Sequence, residues 1–131
     1  MSDNSVVALS EESQPSKALN VTLWILQALA AAAFLMAGAT KLAGAEIHVA
    51  MFEKIGFGQW LRYFTGSLEV ISAVLLLLPK TAGIGAALLA ATMVGAVATH
   101  LFIIGGSAAP ALVLLLITAA VAWYRRPDSL R

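Results

Sequence analysis

Four apolar stretches, at residues 19–41, 60–78, 82–104 and 108–124, are each close to the length a helix needs to cross a bilayer, about 20 residues. No other feature of the chain narrows the fold so far. In lipid a backbone must satisfy its own hydrogen bonds, so apolar runs of this length read as helices. Composition agrees: 60% of the 131 residues are hydrophobic and 11% are charged, against about 25% charged in a soluble domain. The expectation is an all-α, antiparallel four-helix transmembrane bundle over residues 19–124. A polar, slightly acidic tail (1–18) precedes it and is expected to be disordered; a short basic tail (125–131) follows. The first tail lacks the basic start of a signal peptide, and the apolar run after it is too long for one. The first span is therefore expected to stay in the membrane.

The links "PKT" and "GGS" are short enough to make spans two, three and four antiparallel neighbours. Pro79 stops span two, Thr81 and Ser107 are placed to cap spans three and four, and Pro110 is tolerated in a first turn. Ala87, Ala91, Gly95 and Thr99 form a small-residue stripe expected to let another helix pack closely. The longer loop "LAGAEIHVAMFEKIGFGQ" places Ile47, Met51, Phe52 and Ile55 at helical spacing, with Glu46, Glu53 and Lys54 elsewhere around the wheel. That is a short amphipathic helix on the outer surface, ended by Gly56 and Gly58; it is either a lid over a cavity or a plain connector. Lys17, Lys80, Arg125, Arg126 and Arg131 fall on one side of the membrane, and Lys41, Lys54 and Arg62 on the other. The excess favours cytoplasmic termini in a cell (inner) membrane. Trp24, Trp60, Trp123 and Tyr124 sit near span ends, as an interfacial belt requires.

Chemistry is confined to a few positions. A net charge of +1 argues against nucleic acid as a partner. Without cysteine the chain has no disulfide, thiolate metal site or dithiol chemistry of its own. Electrons, if they move here, need a bound quinone, a haem or a partner protein. Glu69 lies about 13 Å below the outer end of span two and His100 about 6 Å below that of span three, while Lys41 marks the outer end of span one. All three fall in the outer half of the bilayer. Ionisable groups at that depth turn inward and are paired or protonated, so the three are expected to line a polar pocket opening outward. Thr65 and Arg62 share the Glu69 face, Thr99 adjoins His100, and Gln27 continues the Lys41 stripe. These seven are the candidate ligand-binding residues; no metal site and no catalytic residue are assigned. Three plainer readings compete: Lys41 snorkelling to the headgroups, Glu69 as an interhelical hydrogen bond, and His100 as a satisfied structural histidine. A haem reading is weaker still, with His48 placed on the surface loop.

The stretches "AGATKLAG", "FEKIGFGQWLRYFTGSLEVISAVLLLLP" and "TAGIGAALLAATMVGAVATHL" together resemble the DoxX-like membrane proteins. The elements are Gly38 and Lys41, Gly56 and Gly58, Gly66 and Glu69, and a small-residue third span ending in His100. The resemblance covers about residues 20 to 124. It implies a four-helix integral membrane protein. Some relatives are associated with quinone-linked thiosulfate oxidation, others with membrane complexes handling thiol and oxidative stress, and a eukaryotic branch with receptor assembly. The expected function is binding of a small apolar or quinone-like ligand in support of a redox or stress-response complex, with a redox-protein partner and homo-oligomers in view. The alternatives are a proton-coupled exporter resembling the small multidrug resistance proteins and a ligand-free scaffold or assembly factor.

Overall fold

In a computed structural model, residues 16–127 are described. The expectations for the two tails fall largely outside them, but Lys17 and Ala18, expected in the disordered first tail, open the first helix. The described residues form α1 (Lys17–Ala43), α2 (Glu46–Ile55), α3 (Trp60–Leu76), α4 (Ala82–Thr99) and α5 (Ala109–Tyr124), with α4 running on as a π-helical turn (His100–Ile104). Among these residues there is no strand.

Local chemistry sets the boundaries. The Ser16 hydroxyl accepts from the Leu19 N–H at 3.1 Å, which starts α1. Gly44, at φ 78°, ends it in the left-handed conformation, and Gly56, at φ 88°, does the same for α2. The helix α3 stops at Leu76, ahead of Pro79. Thr81 stands at the N-cap position of α4, but its hydroxyl donates back to the Leu75 carbonyl at 2.9 Å and so ties the turn instead of capping. Ala108 is the N-cap residue of α5; the Ser107 hydroxyl accepts from the Ala109 N–H at 3.2 Å. Against the expected 19–41, 60–78, 82–104 and 108–124, α1 is longer, α3 and α5 are shorter, and α4 with its π turn ends where expected. The helix α1 (27 residues) and the run Ala82–Ile104 (23 residues) are long and apolar enough to cross a membrane. The helix α3 has 17 residues, Arg62 and Glu69 among them, and α5 has 16.

Contacts run from α1 to α3, α3 to α4, α4 to α5, and from α5 back to α1. The interior holds Leu23, Ala30, Phe34, Leu76, Leu89 and Val121 together with the polar Gln27, Glu69, Ser72 and Thr118. The exterior carries Leu29, Met36, Ile71, Val94, Phe102 and Leu116. Large apolar side chains outside and polar ones inside is the distribution that lipid, not water, favours.

Glycines make the crossings. A Cβ on Gly38 would lie 2.7 Å from both the Gly66 carbonyl oxygen and Val70 Cγ2, and one on Gly66 would lie 3.0 Å from the Gly38 oxygen. A Cβ on Gly85 would lie 2.6 Å from the Ser72 oxygen, and one on Gly83 would strike the Arg125 backbone. The stripe expected to serve this purpose does not. Ala87, Ala91 and Gly95 are exposed, and a Cβ on Gly95 would meet nothing within 4 Å. The helix α4 instead turns Gly85, Ala86, Leu89 and Met93 inward, because Leu and Met remove more apolar surface from their surroundings and bring more packing contacts than alanine.

Candidate functional site

Where α1, α3, α4 and α5 part beneath α2 there is a cavity of about 440 Å³. That is a size suited to a small organic ligand. Phe34, Phe52, Leu68, Met93 and Leu114 form much of its wall, and Lys41, His48, Thr65, Glu69, Thr99 and His100 supply its polar groups.

The Gly38–Gly66 crossing explains the central pair. Lys41 follows Gly38 by three residues and Glu69 follows Gly66 by three, so the close backbones bring both side chains into one gap. Lys41 Nζ lies 2.8 Å from Glu69 Oε1, with side-chain exposures of 14% and 2%. Glu69 Oε1 has no further hydrogen-bond partner among the described residues. An isolated charge so fully buried is strongly unfavourable, and the ion pair offsets that. Lys41 therefore does not simply reach for the headgroups.

The other polar groups are held more loosely. The Thr99 hydroxyl donates to the Gly95 carbonyl at 2.7 Å. His100 Nδ1 lies 2.9 Å from the Gly105 carbonyl oxygen, which can only accept, so Nδ1 donates. The helix α2 covers the cavity and is clasped at its end, where Lys54 Nζ donates to the Ile104 carbonyl at 2.9 Å.

Two expected site residues lie elsewhere. Arg62 is buried but does not line the cavity. Its Nε donates to Gln59 Oε1 at 2.7 Å, another of its N–H groups donates to the Lys41 carbonyl, and its guanidinium stacks 4.3 Å over the Tyr63 ring. Gln59 Nε2 in turn donates to the Val49 carbonyl at 3.0 Å. Arg62 thus braces the junction of α1, α2 and α3, and its charge complements the carbonyl end of α1. Gln27 is fully buried at the other end of the molecule, about 21 Å from Lys41 along α1. Its Nε2 donates to the Leu76 carbonyl at 2.8 Å, and its Oε1 accepts from Arg125 Nε at 2.8 Å.

His48 is the residue that sequence reasoning missed. Ile47, expected on the apolar stripe of α2, is 70% exposed. The residues that face the cavity are His48, Met51, Phe52 and Ile55. Their i, i+3, i+4, i+7 spacing was the available signal. His48 Nε2 lies 3.0 Å from Thr40 Oγ1, and its Nδ1 is buried without a partner among the described residues. Burial, and then the charges of Lys41 and Arg62, hold its pKa below the ordinary histidine value.

A family model described as the DoxX-like family matches residues 25–123. The chain belongs to the DoxX-like family. Neither a curated protein nor a solved structure matches it. In this DoxX-like protein the matched stretch contains both glycines of the α1–α3 crossing, the Lys41–Glu69 pair and every polar residue of the cavity. Family membership, the apolar exterior and two helices of membrane length identify a DoxX-like membrane protein.

Proposed function

We propose that α1, α3, α4 with its π turn, and α5 cross the inner membrane as an antiparallel four-helix bundle with both termini cytoplasmic. In this reading α2 lies on the outer surface, and the cavity beneath it binds a small apolar or quinone-like molecule in support of a redox or stress-response complex. The observation that carries the reading is an apolar chamber of about 440 Å³ with a buried ion pair in its wall. A pure scaffold has no use for such a void, because empty apolar space forgoes packing contacts that side chains would otherwise make. An exporter of cations is less well served, since Lys41 already occupies the carboxylate that a cationic drug would seek. Within the cavity, the Lys41 ammonium stabilises negative charge on a ligand oxygen, and Glu69 and His100 exchange hydrogen bonds or protons with it.

Titrating the purified protein with menaquinone and ubiquinone analogues tests this. Saturable binding is expected, weakened about tenfold or more in Glu69→Gln and His100→Ala. No binding, or unchanged affinity in both variants, overturns the reading.

A further inference from the structure

We propose that His48 is a ligand-binding residue whose Nδ1 accepts a hydrogen bond, and that the cavity selects an apolar molecule bearing a hydroxyl, of the phenol or hydroquinone class. The inference rests on the reading that the cavity holds a ligand. It adds which chemical group that ligand must present.

The argument is a count of protons. The Thr40 hydroxyl has one, and its Oγ1 lies within donating distance of the carbonyls of Met36 and Ala37, at 2.9 and 3.0 Å, which can only accept. With the proton on either carbonyl, Thr40 Oγ1 has only lone pairs to offer His48 Nε2, 3.0 Å away. Nε2 then carries the imidazole proton. A neutral imidazole has one N–H, so Nδ1 is an acceptor. That nitrogen is buried, has no partner among the described residues, and belongs to a side chain lining the cavity. Buried polar atoms are seldom left so.

The imidazole has little recourse to protonation. Burial disfavours its charged form, and the Lys41 ammonium and then the Arg62 guanidinium add to that effect. Glu69, the nearby carboxylate, is already paired with Lys41. Nδ1 thus stays an acceptor at neutral pH. A quinone carbonyl has no hydrogen to give it. A hydroxyl does, and the oxygen of that hydroxyl can in turn accept from a cationic donor such as Lys41. The same apolar walls then hold the ligand body in either case, while the single hydrogen decides between them.

The test uses two probes that differ by that hydrogen, para-heptylphenol and its methyl ether, titrated against the purified full-length protein in nanodiscs. The wild type is expected to bind the phenol about tenfold more tightly than the ether. His48→Phe should bring the phenol down to the ether's affinity and leave the ether where it was, which also reports an intact cavity. His48→Asn places an amide oxygen near the position of Nδ1 and should restore part of the preference, and Glu69→Gln should retain it. Equal wild-type affinities, a ratio that needs no variant to fold, overturn the assignment to His48 and leave the cavity reading standing. A preference that survives in His48→Phe overturns it too. Binding of neither compound overturns both.

Discussion

A lysine and a glutamate set three residues past two touching glycines share one gap, and their 2.8 Å contact joins the first and third helices. Removing either partner leaves the other charged group poorly solvated. Lys41→Met and Glu69→Gln are each expected to destabilise the protein by about 3 kcal/mol. The double variant should lose less than the sum, by about 1 kcal/mol or more. A double-mutant cycle by thermal unfolding checks this; strict additivity would mean that the pair contributes nothing as a pair. His48 gives a second prediction. Its folded pKa lies below the unfolded value of about 6.5, so below pH 6.5 the unfolded chain takes up the proton first. Stability is therefore full above pH 6.5 and falls as pH drops through the window beneath it. The charges acting on that site are those of Lys41 and Arg62, and Lys41 is paired with Glu69. In His48→Phe the loss across the window should shrink; an unchanged slope counts against His48 as its source. Lys41, Glu69 and His100 were legible in the sequence because an ionisable residue inside an apolar run stands out. His48 was not, because its place depends on how a loop helix rolls onto the cavity.

The same limit operates at the level of the helices. Hydrophobic runs located α1, α3, α4 and α5 to within a few residues, since each run is about as long as the helix it forms. Which face of α4 turns inward was not legible: when all sides are apolar, periodicity marks faces without ranking them. The close approach expected of the small-residue stripe on α4 is made there by Gly85 against α3 and by Gly83 against the Arg125 backbone. Nor did the residues announce the π turn at His100–Ile104. The contrast between glycines is measurable. Gly38→Ala or Gly66→Ala should destabilise by about 1–3 kcal/mol through overpacking at the crossing. Gly95→Ala meets open space in a helix interior and should be neutral or stabilising by up to about 1 kcal/mol. Denaturant unfolding of the three variants decides, and equal losses at all three positions would refute the crossing.

Over the whole molecule, polar chemistry is divided between two ends. The cavity lies under α2. At the far end Gln27 links Leu76 of α3 to Arg125, just past α5, and Arg125 NH1 also donates to Asn20 Oδ1 of α1 at 2.8 Å. Gln27 was legible as a buried amide, and its 14-residue separation from Lys41 already placed it about 21 Å away along α1; its partners Leu76 and Arg125 were not legible. Gln27→Leu is expected to lower stability by about 2 kcal/mol, since buried groups lose their partners, while ligand affinity at the cavity stays unchanged. An altered affinity, measured by the titrations above, would mean that the two ends communicate.

The unequal helices carry one more consequence. With all four in the membrane, α3 and α5, of 17 and 16 residues, rise only about 26 and 24 Å, short of a hydrocarbon layer about 30 Å thick. The 27 residues of α1 rise about 40 Å. Lipid must follow that uneven outline, drawn thin beside the short pair and left deep, or met by tilt, beside the long one. Bilayer thickness then acts on this protein as a force, favouring thinner membranes and drawing together neighbours that impose the same dimple.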